Sequence, residues 1–258
     1  MDFNGKTMSE DELKSLLNLQ CSVTPESEDA YQKREQKRLE EEAYKRVLSS
    51  NQYAEIPKRF WDASFSKYPS EISEKAKELC LREKSDAIYI LSGSTGRGKT
   101  TTLCSAIHAR AYKGISDSFY YNIRNLDMHL RRCRTYGSGE DEYSFIKHLS
   151  EYAFLCIDEV GTCINKIDEM NFLAEVICAR YDNCLPTWIA TNLTPIQFKA
   201  FICNVDLTGK SAEEVREISE KLDKENVVLN RIKSVAVIDT LKGESYRGVQ
   251  NGDSSISK

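Results

Sequence analysis

The run Gly93-Ser94-Thr95-Gly96-Arg97-Gly98-Lys99-Thr100 fits the spacing G-x-x-x-x-G-K-[ST], in which a glycine-rich loop wraps its backbone N–H groups round nucleotide phosphates. Glycine permits the backbone angles such a loop needs, and amides at the start of the following helix face an anion. Lys99 then has the reach for the β- and γ-phosphates, Thr100 has the hydroxyl for Mg²⁺, and Thr101 continues the helix start that faces the ligand. The pattern lies between β-prone Ala87-Ile88-Tyr89-Ile90-Leu91 and a helical stretch from Thr101 to Lys113 that Gly114 stops. That is the strand-loop-helix setting in which these residues can bind rather than merely turn.

Two adjacent acids supply a second piece of chemistry. Ala153-Phe154-Leu155-Cys156-Ile157-Asp158-Glu159 reads as an apolar strand ending in carboxylates, which packing alone does not explain. Beside a phosphate loop, Asp158 is expected to complete the Mg²⁺ shell and Glu159 to orient and polarise an attacking water, which favours hydrolysis over transfer to another acceptor. Asn192, at the end of the strand Pro186 to Asn192, is either a turn residue or an amide within reach of the γ-phosphate. The most basic segment, Ile123 to Tyr136, carries Arg124, Arg131, Arg132 and Arg134 with Tyr136 at its end. Arginines beside an aromatic suit single-stranded DNA, guanidinium to phosphate and ring to base; they equally suit a solvated helix face paired with acids.

These residues must be held by a core, and 258 residues with 40% hydrophobic content allow one α/β domain with room for an appendage. Strands are predicted at 87–91, 119–121, 153–159, 186–192 and 234–239. Helices are predicted at 71–83, 101–113, 123–136, 141–149 and 168–181, with a helix-prone stretch over 195–226 broken at Gly209. Such alternation predicts a five-stranded, mostly parallel sheet with its ligand at the strands' carboxyl ends. Ahead of the core, Ser9-Glu10-Asp11-Glu12 is a capping box before Leu13, Leu16 and Leu17, which predicts a short amphipathic helix over 10–20. Residues 26–50 follow with thirteen charges, as a solvated helix or a partner-docking one. The aromatics of Ile56 to Phe65 either strap this piece to the core or stack on an adenine.

Composition narrows the classes further. With no apolar run of about 18 residues and no apolar segment after Met1, a soluble, cytoplasmic protein without membrane partners is expected. Nine cysteines without a C-x-x-C pair point to buried thiols rather than disulfides or zinc. A net charge of −4 and a pI near 5.6 exclude a globally basic nucleic-acid coat, so DNA contact must be concentrated.

Taken with Ile157-Asp158-Glu159-Val160-Gly161, Ala190-Thr191-Asn192, Asn230-Arg231 and Ser245-Tyr246-Arg247, the phosphate loop resembles that of the DnaC-type helicase loaders and the related IstB-type transposition ATPases of the AAA+ class. Ile56-Pro57-Lys58-Arg59-Phe60 with Asp62-Ala63-Ser64-Phe65 looks like this branch specifically, and the resemblance covers roughly residues 55–248. It implies an AAA+ (ASCE) P-loop ATPase domain over 53–248, a helical partner-docking appendage over 1–52 and a disordered tail over 249–258. ATP and Mg²⁺ are the implied ligands. By the same resemblance, Gly93 to Thr100 is Walker A, Asp158 and Glu159 are Walker B, and Asn192 is sensor 1. Arg231 is the finger inserted into a neighbour's site, with Lys224 or Lys233 as alternatives, and Arg247 is a second sensor-like arginine. Arg131, Arg132, Arg134 and Tyr136 fall where loaders grip single-stranded DNA, and the N-terminal helices fall where loaders hold a replicative ring helicase of the DnaB type. Self-association into an ATP-dependent oligomer is implied as well, with a transposase as the alternative partner and a nucleotide-dependent regulatory binding module as the alternative to an enzyme.

Overall fold

Five runs rich in aromatic and β-branched residues become strands, namely β1 (Ile88–Gly93), β2 (Ser118–Asn122), β3 (Phe154–Val160), β4 (Thr187–Thr191) and β5 (Ala236–Leu241). Every pairing is parallel, and the order across the sheet is β2-β3-β4-β1-β5. Parallel strands need crossovers, and the helices supply them. They are α1 (Glu28–Tyr53), α2 (Glu74–Cys80), α3 (Lys99–Tyr112), α4 (Leu126–Cys133), α5 (Glu142–Glu151), α6 (Lys166–Asp182), α7 (Pro195–Ile202), α8 (Ala212–Glu225) and α9 (Val227–Val235). The computed structural model describes residues 28–66, 72, 74–82, 85, 87–115, 117–137, 139, 141–225 and 227–242. The predicted helix over 10–20, the tail over 249–258 and Ser245-Tyr246-Arg247 lie outside them.

The chain divides into two compact units, Met1–Glu42 and Ala43–Lys258, with the division inside α1. In the first, the described part of α1 carries exposed acid-base pairs one turn apart, including Lys37 with Glu41 and Arg38 with Glu42. Exposed pairs of this kind are screened by solvent and add little to stability.

In the second unit, alternation along the strands sends side chains to two cores. Ile88, Ile90, Phe119, Tyr121, Leu155, Ile157 and Ile189 pack with α4, α5, α6, α7 and α9 on one face. Tyr89, Leu91, Tyr120, Phe154, Cys156, Trp188 and Ala190 pack with α2 and α3 on the other. Burying one large apolar side chain contributes about 1.5–3 kcal/mol, so the near-continuous apolar strands make sense as a sheet covered on both sides. Phe60, Trp61 and Phe65 pack against the α3-side core, and the Trp61 indole donates to the Ile56 carbonyl at 2.8 Å.

Two elements depart from the sequence expectation. Ser234 and Val235, expected to open the last strand, close α9 instead, because Leu229 and Ile232 bury at helical spacing against the core and draw the helix onward. The helix expected from Ile123 starts with a 3-10 turn, Ile123–Asn125, where the Asn122 side chain accepts from the Arg124 amide; α4 follows from Leu126.

Candidate functional site

β1 ends at Gly93, and the chain passes through Gly96 at φ +87° and Gly98 at φ +83° before α3 begins at Lys99. Left-handed angles cost glycine nothing, so the loop can curl over the helix start. Lys99 is buried at 8% exposure, and its Nζ donates to the carbonyls of Gly93 and Ser94 at 2.6 and 2.8 Å and to Asn192 Oδ1 at 2.7 Å. Asn192 comes from the tip of β4, and the β1–β4 register brings the two tips side by side. Ser92 Oγ donates to the Leu193 carbonyl at 2.7 Å and Thr191 Oγ1 to the Val160 carbonyl at 2.8 Å, which lock three strand tips together.

Asp158 is 1% exposed, yet its carboxylate is satisfied. Oδ2 accepts from Thr100 Oγ1 at 2.7 Å and from the Tyr120 hydroxyl at 2.8 Å, while Oδ1 accepts from the Glu159 amide at 2.9 Å. Burial first, and the nearby Asp158 charge second, push the Tyr120 hydroxyl far up, so it stays protonated as a donor. Burial likewise pushes the Cys104 and Cys156 thiols up and keeps them inert.

Glu159 occupies a break in the ladder. Ile157 pairs with Ile189 but Val160 pairs with Thr191, so three steps along β3 match two along β4. Glu159, inside this bulge, has φ +61°, an angle that a non-glycine residue adopts only where its surroundings hold it. In a flat strand Asp158 and Glu159 would point to opposite faces, and the bulge re-aims the second acid. Its carboxylate forms an ion pair with Arg124 from the turn after β2, and its carbonyl accepts from Thr162 Oγ1 at 2.6 Å. Behind it, Glu169 of α6 is wholly buried and accepts from the amides of Gly161 and Cys163, which fixes the loop that leaves β3; burial raises its pKa.

The structure therefore brings Lys99, Thr100, Asp158, Asn192 and the loop Gly93–Thr100 into one cluster, with Glu159 beside it. Arg231 stands elsewhere, 3.3 Å from Asp182 and with its guanidinium 5.5 Å from the centre of the Tyr181 ring. Arg134 is held by Asp168 through two hydrogen bonds of 3.0 and 3.1 Å, while Arg131 and Arg132 are exposed and Tyr136 is fully exposed. Arg247 and the side chains of Lys224 and Lys233 lie outside the described residues. Tyr120 and Arg124 were not singled out from sequence as partners of the two acids. The available signal was the parallel β2–β3 register, in which Asn122 faces Asp158, and that pairing is not written in either strand alone.

The cluster fits a nucleotide phosphate with a divalent cation. Thr100 and Asp158 present hard oxygen donors side by side, and Arg97 Nη1 is buried in the loop without a hydrogen-bond partner, a donor that an anion would satisfy. Among the described residues, no helix is long and apolar enough to cross a membrane.

A five-stranded, all-parallel sheet in this order, with a glycine loop leaving its first strand and two acids at the tip of its third, is a helix-flanked α/β sheet of the P-loop type. The chain is 25% identical over 167 residues to the ATP-binding protein of insertion sequence IS232 from Bacillus thuringiensis subsp. berliner; the match takes in 65% of this chain and 57% of that relative's length. In structure it is similar to a DnaC helicase loader, at 19% identity, a TM-score of 0.49 and coverage of 72% of this chain and all of that one. It is also similar to DnaI, at 17% identity, a TM-score of 0.48 and coverage of 74% and 93%. No protein-family model matches the chain.

Proposed function

We propose that the protein is an AAA+ ATPase that assembles on single-stranded DNA and delivers a replicative ring helicase, holding it through the N-terminal helices. The observation that carries the enzymatic part is the convergence of Lys99, Thr100, Asp158 and Asn192 within hydrogen-bonding distance at the strands' carboxyl ends. In this reading Lys99 and the Gly93–Thr101 amides bind the ATP phosphates, and Thr100 and Asp158 hold Mg²⁺. When bound, the ion would neutralise charge on the nucleotide phosphates. Asn192 orients the γ-phosphate or the attacking water, and Glu159, once free of Arg124, accepts that water's proton.

The position of Arg231 supports action in trans. Asp182 ends the helix that returns the chain to the start of β4, so Arg231 lies at the opposite end of the sheet from its own phosphate loop. An arginine supplied by a neighbour stabilises transition-state charge, which makes turnover depend on assembly. Arg247 is proposed as a further nucleotide contact, and Arg131, Arg132, Arg134 and Tyr136 as the DNA-facing surface, in which Arg134, bound to Asp168, supports the surface rather than neutralising a phosphate. The domain limits 1–52 and 53–248 follow the same proposal.

A second reading keeps the ATPase and replaces the helicase with a transposase; the similarity to the insertion-sequence ATP-binding protein favours it. The deciding experiment is ATP hydrolysis with single-stranded or duplex DNA at several protein concentrations, with Lys99→Ala as control. A rate that rises with single-stranded DNA, and more than linearly with protein, supports the loader. Stimulation by duplex DNA, together with failure to retain a ring helicase, supports the transposition ATPase. A flat rate that Lys99→Ala leaves unchanged ends the enzymatic reading.

A further inference from the structure

We infer that Tyr120 is a positioning residue for the metal, holding the Asp158 carboxylate in the one orientation in which it can serve a divalent cation; this rests on the ATPase reading above. Tyr120 is 4% exposed on the α3-side face of β2 and lies one strand away from the acid it serves. Its hydroxyl donates to Asp158 Oδ2 at 2.8 Å, on the same oxygen that accepts from Thr100 at 2.7 Å. The three donors to Asp158 thus come from three places: the loop end, the neighbouring strand and its own backbone.

A carboxylate has about four acceptor positions, so three bonds leave roughly one for the metal or a water of its shell. The constraint is directional. Thr100 cannot supply it alone, because its hydroxyl oxygen must also turn a lone pair toward the cation; Tyr120 faces no such conflict. A phenol on a buried strand loses little entropy on binding, since the core around Cys104, Phe154 and Cys156 already fixes the ring. Partners of this kind behind a metal ligand typically change metal affinity by about tenfold to a hundredfold when removed.

The test separates metal from nucleotide. Binding of a fluorescent ATP analogue is measured in EDTA and then across a Mn²⁺ titration, with the bound ion followed by its electron paramagnetic resonance signal, for wild type, Tyr120→Phe and Asp158→Asn. We expect Tyr120→Phe to keep the metal-free nucleotide affinity within about twofold while raising the half-saturating Mn²⁺ concentration about tenfold. A purely structural role for Tyr120 would lower the thermal midpoint and leave the Mn²⁺ midpoint where it was. An unchanged Mn²⁺ midpoint in Tyr120→Phe, with Asp158→Asn still shifted, overturns the assignment of Tyr120. A wild-type protein that binds no nucleotide with or without Mn²⁺ overturns the ATPase reading itself.

Discussion

Arg124 and Glu159 form an ion pair across the tips of β2 and β3, with the acid largely shielded and the arginine mostly exposed. The arginine is anchored through its own backbone, since its amide donates to Asn122 Oδ1 at 3.0 Å. The same short turn after β2 therefore restrains Glu159 directly, while the strand before it restrains Asp158 through Tyr120. In this arrangement the acid proposed to activate water is already engaged by a cation and must be released before it can take a proton.

Removing that restraint should speed the basal reaction. An exposed pair is worth about 0.2–1 kcal/mol, so Arg124→Ala is expected to raise phosphate release without DNA by up to about fivefold. Glu159→Gln should abolish turnover and keep ATP bound. Steady-state assays without DNA read both, and a slower Arg124→Ala enzyme would mean that the arginine orients Glu159 productively.

Asn192 gives a different signature. Its bond to Lys99 joins the loop to the β4 tip, so Asn192→Ala removes an orienting amide while leaving the loop's own amides in place. The expected result is a fall in kcat of about tenfold or more with ATP affinity changed by less than about threefold. Single-turnover hydrolysis alongside equilibrium nucleotide binding distinguishes this from a general loss of the site.

The basic segment should not act as one. Arg134 is committed to Asp168 by a two-pronged contact, with Glu142 3.6 Å away, whereas Arg131 stands exposed on α4. Arg131→Ala should weaken single-stranded DNA binding and reduce the slope of log affinity against log salt by roughly one, whereas Arg134→Ala should leave that slope nearly unchanged. Fluorescence anisotropy across a salt series measures it. A slope for Arg131→Ala equal to that of the wild type would remove α4 as the DNA-facing helix.

Acid sensitivity should trace partly to His108. This buried α3 side chain bridges the Ala63 carbonyl and the Asn51 side chain, both at 2.7 Å, and desolvation pulls its pKa below 6.5 despite the nearby Asp62 charge. A neutral ring donates from Nδ1 to Ala63 and must accept at Nε2, which calls for the Asn51 amide nitrogen, the atom left without a partner. Because the unfolded chain takes up the proton first, this contribution is present above pH 6.5 and is lost as pH falls through that value toward the lower folded one. His108→Gln should flatten that part of the thermal midpoint against pH curve. A parallel curve for the variant would place the acid sensitivity elsewhere.

Much of this site could be read from the chain itself. The phosphate loop is a contiguous run whose spacing encodes its own geometry, and Asp158-Glu159 advertise themselves as charges at the end of an apolar strand. The alternation of apolar strands with helices was enough for a parallel α/β sheet, because a strand buried on both faces leaves an unmistakable composition. Element ends were less legible. Ser234 and Val235 look like strand residues locally, and only the burial of Leu229 and Ile232 keeps them helical.

Sequence alone determined which groups this protein has for holding phosphate and metal, since local spacing is set by covalent geometry. Tertiary structure decided what restrains them. The Tyr120–Asp158 bond spans 38 residues, Lys99–Asn192 spans 93, and the bulge that re-aims Glu159 exists only where β3 meets β4. Such contacts depend on strand order and register, which come from how the two cores pack against the sheet as a whole and cannot be read from any single segment.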